Sequence, residues 1–246
     1  MLIINADDFG TNELTTDNII CCYQKGGITS ASAMMFMKDS ERSAALALAN
    51  NMDTGLHLNF TSEFTGSVPS TKLKDSHEKI ASFLLRSKYG LLLYNPFLRN
   101  TFEYVYKSQH EEFVRLYNRI PTHIDGHHHM HLCTNMIMDR IIPDNYRVRR
   151  SFSFNRGEKS VLNRLYRHVV DRILSKHYIC TDFFFSIQPI SDLSRLRHIL
   201  NLSDAYLVEL MVHPGFKEEY DFLMSEDYYQ MISSRSGSVQ DGTSNM

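Results

Sequence analysis

MLIINADDFG, residues 1–10, sets an apolar run over residues 2–6 against an abrupt stop at Asp7, Asp8 and Gly10. Such a run reads as a buried strand of a parallel sheet that ends at a functional loop. Residues 12–25 then read as a helix closed by Gly26 and Gly27, and the small, β-leaning stretch 28–36 completes one βαβ unit. The alternation continues with helices over 41–51, 108–119, 134–142, 159–176 and 192–201. Strands fall over 54–60, 122–126, 146–150, 178–187 and 206–212, giving about seven in all. An α/β fold of parallel strands with right-handed crossovers follows, and periodicity leaves open whether the sheet closes into a barrel or stays doubly wound. The irregular stretch 61–76 is longer than an ordinary βα loop and is expected to face substrate.

The chain of 246 residues is expected to form one catalytic domain over 1–232, followed by a disordered tail over 233–246, whose polar residues have little to bury. Lys and Arg number 26 against 28 Asp and Glu, a net charge of -2 that argues against a polyanion binder, so no nucleic-acid partner is expected. The four cysteines form no CxxC pair and suit a reducing compartment. No apolar run approaches the roughly 18 residues of a membrane span, and residues 1–10 carry charge too early for a signal peptide. A soluble, cytoplasmic protein without a membrane partner is the expectation.

Of the 12 histidines, five lie in THIDGHHHMH (122–131): His123, His127, His128, His129 and His131. On a strand, His123, Asp125 and His127 share one face, and His129 and His131 continue that parity if the strand persists. The cluster points to a metal. Asp7 and Asp8 after the first strand, His57 in TGLHLNFT (54–61) and the histidine cluster all sit near strand ends, which in parallel α/β folds gather on one side. One carboxylate with two imidazoles forms an open hydrolytic metal site, and a second aspartate can take a proton from water. As a lone signal the aspartate pair is weak, since an Asx turn or a helix N-cap also accounts for it. His213, at the end of the strand in LVELMVHPGF (207–216), suits a general acid, or else a structural histidine at a strand end.

NADDFG (5–10), GLHLNFT (55–61), THIDGHHHMH (122–131) and VHPGF (212–216) resemble, in this order, the four signature blocks of the YdjC-like carbohydrate deacetylases. The resemblance spans roughly residues 1–225. It implies a deformed (β/α) barrel similar to other polysaccharide deacetylases, and removal of acetyl groups from N-acetylated sugars. Carried over by motif, it implies that Asp8, His57 and His127 hold one divalent metal ion, that Asp7 is the general base and that His213 is the general acid. His123, Asp125, His129 and His131 become outer-shell or substrate-contacting candidates, as does Arg147 at a strand end. The resemblance implies magnesium, whereas the donor set chemically favours zinc or a similar transition metal. It also implies a homodimer acting on an acetylated mono- or oligosaccharide. The stretch SSRSGSVQDGTSNM (233–246) departs from the family's final helix and strand.

Two weaker signals remain. The aromatic stretch 89–106 suits core packing or an oligomer contact better than a substrate lid. Arg147, Arg149, Arg150 and Arg156 suit a solvated edge better than a phosphate grip, with Arg147, at a strand end, the best placed of the four. Two rival functions are a metal-dependent phosphoesterase on a similar barrel, whose first strand would ordinarily carry HxH, and a non-catalytic sugar- or metal-binding protein.

Overall fold

Six parallel strands form one curled sheet in a computed structural model that describes residues 1–154 and 160–236. They are β1 (Leu2–Phe9), β2 (Ser30–Ala33), β3 (Asp53–Leu58), β4 (Ile124–Gly126), β5 (Phe183–Ser186) and β6 (Val208–Val212), in the spatial order β4-β3-β2-β1-β6-β5. The two edges are not left bare. The amide of Ile124 donates to the Arg147 carbonyl at 2.8 Å, while those of Val148 and Ser153 donate to Ile179 and Phe184 at 3.0 and 2.8 Å. The expected strand over 146–150 is therefore reduced to isolated bridges, Ile124↔Val148 on the β4 edge and Arg147↔Ile179. β4 has only three residues before the chain turns away at Gly126, so it offers no length for a longer ladder.

Alternation along the strands divides outside from inside. Ile4, Ala6, Ala31, Ala33, Leu56, Leu58, Ile124, Val208, Leu210 and Val212 are buried in the apolar core under the helices. The opposite parity carries Asn5, Asp7, Ser30, Ser32, His57, Asp125 and Glu209, all buried and polar. The inward face is thus a hydrogen-bonded layer. At one position side-chain size is decisive: a Cβ on Gly55 would stand 2.4 Å from the His123 ring, so only glycine lets that ring lie against β3.

The helices are α1 (Glu13–Gln24), α2 (Ser40–Ala49), α3 (Thr71–Leu85), α4 (Arg99–Tyr117), α5 (Thr134–Met138), α6 (Val161–Leu174), α7 (Leu193–Leu202), α8 (Lys217–Leu223) and α9 (Glu226–Ser236). Asn12 caps α1 by accepting from the Thr15 amide at 3.0 Å, as its position before the helix predicts. Three expectations change. Within 61–76, residues from Thr71 onward belong to α3, capped by Ser70 and buried through Leu73, His77, Ile80, Phe83 and Leu84. α4 begins nine residues before the expected start at 108, and Phe102, Val105 and Tyr106 from the aromatic stretch enter the core. α9 extends to Ser236, so residues 233–236, expected as tail, are helical; residues 237–246 lie outside the described residues. No helix among the described residues is long and apolar enough to cross a membrane.

Candidate metal centre

Two adjacent aspartates on a regular strand face opposite ways, yet here both side chains reach the same cluster. The ladder between β1 and β2 shifts register between Ala6 and Phe9, and Asp8 adopts φ +67, a left-handed conformation rare for a non-glycine residue. That turn swings Asp8 toward the histidines while Asp7 keeps the inward parity of Asn5. Asp8 Oδ1 lies 2.9 Å from His127 Nδ1 and 3.3 Å from His57 Nε2. His57 Nδ1 meets Asp125 Oδ1 at 2.7 Å, as their pairing across β3 and β4 allows. A carboxylate on Nδ1 fixes the ring and leaves Nε2 directed at Asp8.

The strand carrying the histidine cluster does not persist. It ends at Gly126 and passes into a 3-10 helix over His127–Leu132, with His128 and His129 left-handed at φ 52 and 56. The expected parity over His127, His129 and His131 is therefore lost, and each histidine has a different environment. His127 joins Asp8 and His57; its ring lies 4.0 Å, centroid to centroid, from that of exposed His128, which meets Thr61 Oγ1 at 3.0 Å. His129 packs on Phe152 and Phe184. His131 Nε2 donates to the Arg149 carbonyl at 3.0 Å, and buried His123 lies 3.4 Å from Arg147 Nη2.

Among the described residues, two donor groups have ligand atoms within 4.8 Å of one another: Asp8, His57 and His127, and the wholly buried Asp7, His57 and Asp125. The second already surrounds a cation. Arg149 places Nη1 2.6 Å from Asp7 Oδ2, Nη2 2.7 Å from both Asp7 Oδ1 and Asp125 Oδ2, and Nε 2.6 Å from Glu209 Oε1. The first group retains partial exposure at Asp8 and His127, and its one carboxylate and two imidazoles fit a divalent ion with open positions for water and substrate. Arg149 is 2 % exposed, so the solvated edge expected for it is overturned; its guanidinium is the hub of the inward layer. Arg150 pairs with Asp171, and Arg156 lies outside the described residues.

Electrostatics follow from this packing. Burial by itself would raise the Asp7, Asp8 and Asp125 carboxyls, but Arg149 and the histidines hold all three below the usual carboxylate range. Burial would lower His57, yet Asp125, Asp7 and Asp8 together push it up to about 10 in the metal-free chain. Burial also pushes Glu209 up. The opposite case is clearest in four other histidines. Burial lowers His77, His123 and His131 to about 4 and His129 to about 3, and each has a buried ring nitrogen without a partner.

Those four rings stay neutral in the fold and gain protons on unfolding once pH drops below their unfolded value of about 6.5. The unfolded state then binds more protons, so stability falls as pH drops from 6.5 to about 4, by up to ~1.4 kcal/mol per pH unit per histidine. His57 is protonated in both states over this window and adds nothing. The thermal midpoint of the metal-free protein is expected to fall steeply across that interval in a circular-dichroism series. A midpoint flat from pH 6.5 to 4 would contradict the neutral buried rings.

The inward residues missed by sequence reading are Arg149, Asn5, Ser32 and Glu209. Asn5 Nδ2 donates to Asp7 Oδ1 at 2.9 Å, and Ser32 Oγ donates to Asp125 Oδ2 at 2.9 Å. Glu209, inside the apolar run VELMV, was the one visible signal, since a charge in a buried strand needs a partner. His213, just past β6, lies with Nε2 4.0 Å from Asp7 Oδ2. Two recesses among the described residues draw on the loops that carry Thr61 and His128. One of about 300 Å³ is lined by Thr61, Glu63, Phe64 and His77, and one of about 210 Å³ by Leu91, His128, His129, Phe152 and Tyr166.

The sequence profile of the YdjC-like protein family matches residues 1–234. The chain is 30% identical over 225 residues to a chitooligosaccharide deacetylase of Serratia marcescens, covering 88% of this chain and 82% of that protein. A chitooligosaccharide deacetylase of Yersinia pestis (strain Pestoides F) is 30% identical over 240 residues, covering 93% and 86%. In fold, the chain superposes with TM-score 0.65 and 18% identity on an Enterococcus faecalis V583 protein named for a candidate role in cellobiose-phosphate cleavage. That match covers 95% of this chain and 94% of the other.

Proposed function

The chain belongs to the YdjC-like protein family, and from that premise we propose that it is a metal-dependent hydrolase that removes the acetyl group from 2-acetamido sugars such as chitooligosaccharides. The observation that carries this reading is the convergence of Asp8, His57 and His127, with Asp7 beside His57 and His213 Nε2 4.0 Å from Asp7. Asp8 Oδ1, His57 Nε2 and a ring nitrogen of His127 would hold the ion, which would polarise the acetyl carbonyl and acidify water. Zinc or a similar transition metal suits these donors, and magnesium is the ion implied by the family resemblance.

Asp7 takes the proton of the attacking water. Its depressed carboxyl is ionised at neutral pH, and Arg149 and Asn5 hold it in one orientation. Asp125 fixes the His57 ring, and His213 protonates the departing nitrogen, which could not leave as an amide anion. The apolar and aromatic wall of Leu91, Phe152 and Tyr166 suits a sugar ring placed beside His128. A single catalytic domain that includes the whole of α9 and a cytoplasmic location complete the reading, the latter supported by four free thiols. A homodimer is proposed on the family resemblance.

The test is acetate release from N,N'-diacetylchitobiose and its 6-phosphate by protein loaded with divalent metal. Release is expected from at least one sugar and is expected to vanish in His57→Ala. Hydrolysis of a generic phosphate ester without acetate release would transfer the site to phosphoryl chemistry.

A further inference from the structure

His213 is followed by Pro214 and Gly215, after which α8 brings a second acid back against it. Glu219 is 2 % exposed. Its Oε2 accepts from the His213 backbone amide at 2.5 Å and stands 3.9 Å from His213 Nδ1, while its Oε1 accepts from Gln188 Nε2 at 3.0 Å. The other ring nitrogen, Nε2, faces Asp7 Oδ2 at 4.0 Å. The imidazole therefore spans two carboxylates, one at the metal cluster and one behind it.

A carboxylate removed from water is costly unless its oxygens are occupied and a cation lies near. No lysine or arginine among the described residues forms an ion pair with Glu219; its one ionisable partner is His213. We propose that Glu219 is the positioning residue of His213: it engages Nδ1 and thereby directs Nε2 into the site, where a departing amine would receive the proton. The logic is that of an acid orienting a catalytic imidazole, which fixes both ring rotation and the tautomer. Gln188 holds the remaining oxygen, so the carboxylate cannot rotate away without losing a bond. The proposal rests on the deacetylase reading for its kinetic consequence, but not for its structural one.

The test begins with long-range ¹H–¹⁵N spectra of the histidine rings in the full chain. Wild type is expected to show His213 with its proton on Nδ1 when neutral, and Glu219→Gln to transfer a substantial share to Nε2. Glutamine cannot accept from both the His213 amide and Gln188, so the constraint on the ring is lost even though the shape is kept. In kinetics on N,N'-diacetylchitobiose, Glu219→Gln is expected to lower kcat on the order of 10²-fold with KM within about twofold. In a His213→Asn background the same change is expected to cost nothing further, which a merely structural role would not produce. Gln188→Leu, which removes only the brace on Oε1, serves as the second variant should Glu219→Gln fail to fold, with the same directions and smaller size. An unchanged His213 ring spectrum, or a rate loss that adds fully to that of His213→Asn, overturns the proposal. Wild-type protein that releases no acetate would defeat the deacetylase reading, while the spectra would still decide the role of Glu219.

Discussion

Asp7→Asn is expected to lower acetate release about 10³-fold or more while leaving metal affinity within a few-fold. The two effects separate because Asp8, His57 and His127 supply the converging donors and Asp7 stands beside them, held by Arg149. Asparagine keeps the shape and can still accept through one oxygen, but it cannot take a proton from water. Its amide would place a donor against a guanidinium nitrogen, at a cost of about 1–3 kcal/mol in stability. Turnover, calorimetric metal titration and thermal unfolding of the same variant check all three statements. Turnover within tenfold of wild type would remove Asp7 from the proton-accepting role.

Arg149→Met is expected to destabilise the fold by about 3–5 kcal/mol, because it strands buried Asp7, Asp125 and Glu209 without their shared cation. The guanidinium also lies 4.9 Å over the Phe184 ring, so some packing is lost as well. The sign of the pH dependence follows from the same charges. In wild type the lowered Asp7 and Asp125 carboxyls contribute stability that is present above their unfolded value of about 3.8 and is lost as pH falls through their folded values. The variant lacks that contribution, so the gap between the two proteins is widest near neutrality and narrows in acid. Urea unfolding at pH 7 and at a pH well below the unfolded value of about 3.8 measures it. A loss under about 1 kcal/mol at pH 7 would mean that Arg149 does not organise the inward layer. A methionine variant that folds should also turn over slowly, since Asp7 loses its orientation.

The parts of this arrangement that sequence made legible are those that lie at the ends of apolar runs. Asp7, Asp8, His57, His127 and His213 each interrupt or follow a strand-like stretch, and the parallel topology brings such positions to one end of the sheet. Local pattern sufficed because topology did the rest. Arg149 stayed hidden for the opposite reason: its partners Asp7 and Glu209 lie 142 and 60 residues away, and nothing near Arg149 distinguishes it from Arg147 or Arg150. Glu219 has the same difficulty on a smaller scale, since the start of α8 is rich in acids and Glu218 beside it is exposed. The left-handed turns at Asp8, His128 and His129 escaped because any non-glycine residue adopts that conformation uncommonly and no local pattern marks where, and they cancel the strand parity on which the histidine reading leaned. The helix α3 was missed because TKLKDSHEK has few apolar residues, and only the full span to Leu85 shows the buried stripe Leu73, His77, Ile80, Leu84.

Asp8, His57 and His127 are proposed to hold the ion at which the acetamide is hydrolysed. Divalent metal is added stepwise to chelator-stripped protein, and acetate release from N,N'-diacetylchitobiose is followed at each step. Release is predicted to be absent at the start and to rise in proportion to bound metal until one ion is held per chain. Release at full rate from the stripped protein, or unchanged binding of that ion in Asp8→Ala, would contradict it.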